Sequence, residues 1–369
     1  MKLLYISNAE LPSDAANSIQ IMEMCSAFAR AGHNVMLLTP DYTNKEIQDK
    51  ELYERYNMMQ SFRVVRLPVF WSGPFWLKRI ALFLFNFKAA CYAINEKADL
   101  YYSRSPVPLL FLTLWGCRSV LELHSTPDTW MKKMMICFLC RRPTFFRIVS
   151  ISFAMAENLS SLVPANKLQV SHDGARAVNI PLPESQQSKE IKIGYAGHLY
   201  RGKGGELITE IAGIMPECSI HIYGGTKDDI KRYQKNAPGN MVFYGHLNRK
   251  EIMEVLEKLD IVLLPVKKTV YARNGKLNIA DIMSPLKLFE YMSLGKAIVA
   301  SNLPVIREVL ESGRNSVLCD PDDAGEWKNA IKKLLEDSNL RTDLGRAAHN
   351  DFMNSYTWEI RARKVLEGI

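Results

Sequence analysis

The chain is predicted to be an α/β protein built as two successive doubly wound halves, each with a parallel sheet. Three observations carry this. The length of 369 residues suits two domains, each large enough for its own core. Short apolar runs of buried-strand length alternate with helical stretches before and after a break. The break, Ile180-Pro181-Leu182-Pro183-Glu184-Ser185-Gln186-Gln187-Ser188-Lys189-Glu190, is polar and proline-rich and has no periodicity, so it reads as a linker. With 47% hydrophobic and 23% charged residues, the composition is that of a globular chain.

The first half opens on Met1-Lys2-Leu3-Leu4-Tyr5-Ile6-Ser7. This apolar run is too short for a signal peptide and reads as a first strand over 3–8, so a cytoplasmic protein is expected. An amphipathic helix follows from Ser18 to Arg30, ended by Gly32, and a second strand covers 34–40. This β-α-β unit makes a parallel sheet the default, and its first loop, Ala9 to Asn17, lies at a strand's carboxyl end where such folds bind ligands. The loop holds no G-x-G-x-x-G or Walker pattern, so a dinucleotide or P-loop reading has no support. Further strands are predicted at 62–68, 99–105, 118–124, 147–152 and 168–172.

Charge is concentrated in this half. Residues 61–150 hold 13 Lys and Arg against four Asp and Glu, a net of +9, whereas the whole chain is +8. Within the region, 75–88 and 130–142 each set Trp, Phe or Met beside Lys and Arg. Lys78, Arg79, Asn86 and Lys88 interrupt the first stretch, which excludes a transmembrane helix. Two readings remain open: a core helix, or a helix lying on an anionic membrane surface with its cations towards the lipid. The seven cysteines include one C-x-x-C pair, Cys137 and Cys140, with no second pair to complete a zinc site, so buried free thiols in a reducing compartment are expected.

After the linker, strands are predicted at 191–196, 219–223, 241–244, 261–265, 297–300 and 316–319. The segment Ser284 to Met292 is where ligand chemistry is expected to concentrate. Ser284 suits an N-cap and Pro285 the first helical position, and Gly295 ends the helix before a buried strand. The amides of Leu286 and Lys287 then point out of the helix as an anion site. Lys287 opposes the helix dipole in its first turn, a misfit that an anion would relieve. Glu290 shares its face and could accept from ribose hydroxyls; an ordinary Lys–Glu pair on a surface helix is the competing account.

The run Ser284 to Glu308, SPLKLFEYMSLGKAIVASNLPVIRE, resembles the donor-binding segment of retaining glycosyltransferases of family 4, which have the GT-B fold: two Rossmann-like doubly wound domains facing an interdomain cleft. The family's second motif Glu falls on Glu290, and its first falls on Ile282, beside Asp281. The resemblance implies domains at 1–180 (acceptor side) and 191–355 (donor side), a linker at 181–190, and a terminal helix, 356–369, crossing back to the first domain. In Tyr195 to Gly204, Lys203 matches a family Lys on the donor diphosphate. His198 stands where the family has Arg, and Arg201 is placed to supply the missing charge. Gly245 and His246 resemble the segment near the base, and Glu308 a further acidic position. His124 matches a family His that contacts the donor sugar. Ala15-Ala16-Asn17-Ser18 stands where the family often has a glycine pair, which puts Asn17 and Ser18 on the acceptor side.

The expected activity is retaining, metal-independent transfer of a sugar from a nucleotide-diphosphate sugar to a glycan or lipid-linked acceptor, in surface polysaccharide, lipopolysaccharide or glycolipid synthesis. His124, Lys203 and Glu290 are the expected catalytic residues. His198, Arg201, Lys203, Gly245, His246, Ser284, Leu286, Lys287 and Glu290 are expected to hold the donor. No cofactor, metal or nucleic acid is expected, and an anionic membrane on its cytoplasmic face is the expected partner surface. A GT-B nucleotide-sugar epimerase and a non-catalytic nucleotide-binding member are the alternatives.

Overall fold

The computed structural model describes residues 1–42, 49–69, 75–178, 190–200, 202–271 and 278–369. The chain divides into two compact units, 1–172 with 358–369, and 173–357. The division therefore falls at His172/Asp173 and Thr357/Trp358, not at the proline-rich stretch, most of which lies outside the described residues. Composition marks where a segment cannot build a core. Contacts separate where the last strand of the first sheet has ended, several residues earlier.

The first unit contains β1 (Lys2–Ile6), β2 (Asn34–Asp41), β3 (Arg63–Pro68), β4 (Leu100–Ser103), β5 (Ser119–Leu123), β6 (Phe145–Ser150) and β7 (Leu168–Val170). They form one parallel sheet in the order β3-β2-β1-β4-β5-β6-β7. Strands β4 and β5 are buried throughout, as inner strands of a sheet covered by helices on both faces should be. The terminal helix, Trp358–Leu366, lies against the helix Ala16–Arg30, with Trp358 buried and Glu359 2.7 Å from Arg30.

In the second unit, β8 (Ile193–Ala196), β9 (Ile220–Tyr223), β10 (Met241–Gly245), β11 (Ile261–Leu264), β12 (Ala297–Ser301) and β13 (Val317–Cys319) give a second parallel sheet, ordered β10-β9-β8-β11-β12-β13. All thirteen predicted strands are present, each within two residues of its expected bounds. Strand order reverses between β1 and β4 in one sheet and between β8 and β11 in the other. Loops diverge at such points and leave a crevice at the strands' carboxyl ends. The fold is therefore two Rossmann-like units, as predicted.

One local expectation is corrected. The helix after β11 begins at Leu286 with Pro285 before it and carries no side-chain cap. The Ser284 hydroxyl instead accepts from the Asp173 amide at 2.9 Å, so it ties the start of the unit to the approach of this helix.

Behind that helix, Gly345 of the helix Ser338–Ser355 sits against the turn at Gly295. A Cβ there would lie 2.1 Å from the Gly295 carbonyl oxygen, and both partners are backbone. Gly345→Ala gains helix propensity of up to about 1 kcal/mol but forces two packed elements apart, at a cost of about 1–3 kcal/mol. The net expectation is destabilisation, read as a lower urea midpoint for the second unit. A raised midpoint would show that the contact yields easily.

Candidate functional site

Most candidate residues of the second unit follow the two strands at its switch point, while Gly245 ends the edge strand β10 and His246 follows it. Gly197 follows β8, and the helix Leu286–Ser293 follows β11. The carboxyl ends of β8, β9 and β10 are stacked through backbone. Gly197 N–H donates to Tyr223 O at 2.7 Å and Gly224 N–H to Gly245 O at 2.6 Å. A Cβ on Gly224 would lie 2.3 Å from Gly197 O. Three successive loops thus meet as a ledge without side chains, where a ligand can approach main-chain groups closely.

Lys287 reaches over this ledge. Its Nζ donates to the Tyr195 hydroxyl at 3.1 Å and lies 4.4 Å from the Tyr195 ring centroid. The Tyr195 hydroxyl in turn donates to His198 O at 2.6 Å. A Cβ on Gly197 would be 1.3 Å from the Lys287 Nζ, so glycine is required for the ammonium to sit there. Burial pushes the Lys287 amine down to about 7, with the charge of Lys203 adding to the shift and Glu290 opposing it. Burial also lowers Lys203, whose Nζ lies 5.4 Å from the Tyr200 ring centroid. Among the described residues neither ammonium has a carboxylate within salt-bridge distance. Two like charges held together beside a helix N-terminus are an arrangement that a bound anion would relieve. Arg201, expected to share this task, lies outside the described residues. His198 is exposed, 5.7 Å from the Tyr200 ring.

Glu290 is buried and bonded to Arg249 Nη1 at 2.9 Å. Sequence reasoning missed Arg249. It opens the helix Arg249–Glu257, which Asn248 and Glu251 begin with a reciprocal capping box just after β10, Gly245 and the exposed His246. That capping signature at a strand's carboxyl end could have singled it out. The pair holds the Glu290 carboxylate in place, and it means that neutralising Glu290 also strips Arg249 of a partner. Ile282 is buried where the family motif has its first Glu, while Asp281 is exposed. Leu286 opens the helix beneath Lys287.

In the first unit, His124 follows β5 and its Nε2 lies 2.5 Å from Glu122 Oε1. Glu122 is fully buried. Its Oε1 also accepts from Gln20 Nε2 at 2.6 Å, and its Oε2 accepts from the Tyr102 hydroxyl and from Arg361 Nη1 at 3.1 Å. Burial alone would raise this carboxyl. Arg361, His124 and Arg104 outweigh it and hold Glu122 well below the usual carboxylate range. Arg104 donates to Gln20 Oε1 at 3.0 Å and to Asn17 O at 3.3 Å, which links the exposed Asn17 to the same network. Ser18 is buried and its hydroxyl donates to Glu10 O.

The two basic stretches meet on one side of the first unit. The helix Phe75–Asn95 adjoins the helix Pro106–Leu114, which adjoins the helix Trp130–Cys140. Phe85, Ala89, Ala90 and Ala93 of the first are core, whereas Ile80, Phe83, Leu84 and Phe87 are exposed, so the two readings of this helix each describe one face. Phe83 and Phe87 meet the ring of Phe111, which meets Trp115. Leu114, Trp115, Trp130, Met131 and Met134 are exposed as well, Trp130 to 73%. Arg79, Lys88, Lys132, Lys133 and Arg141 are exposed around them.

Two outcomes test the donor cradle. Between pH 7 and the unfolded lysine value near 10.4, the unfolded chain binds the proton that folded Lys287 has released. Stability therefore rises with pH through that window, and the penalty is fully present below it. Lys287→Met should raise the melting temperature at pH 7 while weakening binding of a nucleoside diphosphate, whereas binding by unmodified protein above pH 7 should take up a proton. Calorimetry in buffers of differing ionisation enthalpy reads that uptake, and its absence would remove Lys287 from the anion site. Glu290→Gln should weaken nucleoside-diphosphate binding by about 1.5–3 kcal/mol. In an Arg249→Ala background the same change should cost less, because the carboxylate has already lost its anchor. Additive losses would count against a shared role.

The model for Glycosyl transferases group 1 matches residues 181–351, and that for Glycosyltransferase Family 4 matches 18–176. An uncharacterised glycosyltransferase of Methanocaldococcus jannaschii is 30% identical over 179 residues, 46% of this chain and 42% of the relative. The sulfoquinovosyl transferase SQD2 of Arabidopsis thaliana is 22% identical over 73% of this chain and 56% of its own length. In these matches the chain spans about half the length of the relatives. Among solved structures, Anabaena HepE in complex with UDP superposes with a TM-score of 0.72 at 17% identity, covering 100% of this chain and 99% of that one. With two family models laid end to end over two Rossmann-like units of GT-B type, the chain belongs to the group 1/family 4 glycosyltransferases.

Proposed function

We propose that this chain transfers a sugar, with retention and without a metal ion, from a nucleotide-diphosphate sugar to a lipid-linked or cell-surface glycan acceptor at an anionic membrane. The observation that carries the acceptor side is the exposed face of the three helices in the first unit. Nine large apolar side chains from Ile80 to Met134 lie open to solvent there, ringed by cations, in the part of the chain that holds its net charge. A face of this composition docks reversibly: each cation near anionic lipid contributes about 1 kcal/mol and the aromatic rings sit at headgroup level. No helix among the described residues is long and apolar enough to cross a membrane. The reading therefore places the protein peripherally, on the cytoplasmic face, in surface polysaccharide, lipopolysaccharide or glycolipid synthesis.

On the donor side, Lys203, Lys287 and the helix N-terminus supply preorganised positive charge for the departing diphosphate. The UDP bound to the Anabaena relative supports a nucleotide diphosphate as the group recognised. Two of the buried carboxylates, Glu122 and Glu290, lack the surroundings of a covalent nucleophile. Glu122 accepts from several donors at once and Glu290 is paired with Arg249. This favours same-face attack, in which a leaving-phosphate oxygen takes the acceptor's proton.

Incubation with a panel of nucleotide sugars and lipid-linked acceptors, followed by mass spectrometry, should show one donor consumed and the acceptor heavier by one sugar, with EDTA without effect. An isomerised donor with no transfer would make the chain an epimerase, and binding without turnover a nucleotide-binding member. Liposome sedimentation tests the surface. The protein should pellet with vesicles rich in anionic lipid and leave them at high salt. Reversing Lys132, Lys133, Arg141 and Arg142 to Glu should abolish pelleting and leave UDP binding intact. Protein that stays in the supernatant at low salt would make the acceptor a soluble one.

A further inference from the structure

Glu122 and Arg361 lie 239 residues apart in sequence, yet their side chains form the most deeply buried ion pair among the described residues, 0% and 1% exposed. The guanidinium does three things at once. Nη1 and Nη2 each lie 3.1 Å from the Glu122 carboxylate, Nε donates to His172 O at 2.8 Å, and Nη2 donates to Ser171 O at 3.3 Å. Arg361 thus joins the terminal helix to the chain just beyond β7 and to the middle of the sheet. The carboxylate takes up donors from Arg361, Gln20, Tyr102 and His124, and every other partner is a donor by chemistry. The His124 Nε2 must therefore also carry a proton. A core that needed only to bury Tyr102 and Gln20 would not need a full charge pair, since apolar side chains of similar size fill such sites at equal or lower cost.

We propose that Glu122 is a positioning residue for His124, and that Arg361 holds it there, so that the last helix of the chain sets the orientation of a side chain acting at the reacting sugar. The role of His124 in this statement rests on the transferase reading; the geometry of the lock does not. Glu122 fixes the ring plane and tautomer of His124, as a carboxylate behind a working imidazole does elsewhere. Arg361 keeps that carboxylate ionised without drawing it out of line.

Full-length protein labelled with 15N-histidine tests the lock without substrate. One imidazole, assigned by its disappearance in His124→Gln, should show the Nε2–H tautomer with a strongly deshielded proton, and Glu122→Gln should remove that signal. A resonance unchanged in Glu122→Gln overturns the proposal. Turnover is then measured with the donor and acceptor found by the mass-spectrometric screen. Glu122→Gln and Arg361→Met should each lower kcat by about ten- to hundredfold, the usual range for removing an orienting partner. Donor KM should not change, and in a His124→Ala background Glu122→Gln should cost nothing further. A loss that persists undiminished in that background refutes positioning in favour of general damage. Glu122→Gln leaves a buried guanidinium uncompensated, so the double variant Glu122→Met with Arg361→Met is the control for folding. It should fold and still show the low kcat, and wild-type turnover in it would refute the role. If no pair in the screen yields product, the transferase reading falls while the labelled histidine still decides the lock.

Discussion

The second unit is arranged around a charge that the fold does not neutralise. The Lys287 ammonium sits at a helix N-terminus, where the dipole repels it, with Lys203 close enough to lower its proton affinity further. Its surroundings are explained by keeping it there. The Tyr195 ring and hydroxyl give the ammonium a polar face to rest on, Gly197 clears the space a side chain would fill, and Pro285 adds no amide to compete for a ligand. A site that is unfavourable alone and favourable with an anion in it spends folding stability on ligand affinity, a pattern of functional sites in otherwise consistent folds.

The first unit treats its buried charge in the opposite way. Glu122 is saturated by donors drawn from the helix Ala16–Arg30, from β4, from His124 and from the terminal helix. A charge so compensated is rigid, and rigidity is what an orienting group needs. On the proposed reading the two arrangements suit two tasks: an unneutralised pair of cations receives a ligand's charge, and a neutralised carboxylate aims a side chain.

The apolar face of the helices at 75–95, 106–114 and 130–140 follows a third logic. The first helix is apolar almost all round, which in a soluble fold implies burial on both faces. Here only the face with Phe85, Ala89 and Ala93 is buried, and Phe83, Leu84 and Phe87 are left in water, where aromatic area of this extent calls for a partner surface. The exposed cations around it set this face apart from a purely apolar one.

The strands were legible in the sequence because a parallel sheet covered on both faces makes its strands short, mostly apolar runs, and the helix Leu286–Ser293 was legible because Pro285 and Gly295 punctuate it. Lys203 and Lys287 could be picked out as cations at strand and helix ends, and His124 as a histidine just past β5. The mutual repulsion of the two lysines could not be read there, nor the pairing of Glu290 with Arg249, nor that of Glu122 with Arg361, because residues 41 to 239 positions apart meet only when sheet order brings their strand ends together. Ser284 shows the same limit locally: its type and place suit an N-cap, but the Asp173 amide, 111 residues away, takes its hydroxyl. Local pattern determined the elements and the residue types at their ends, since periodicity and capping act over a few residues. Which side chains share charge, which carboxylates are held and which apolar face stays in water were decided by tertiary structure, since burial and Coulomb interaction depend on distance in space.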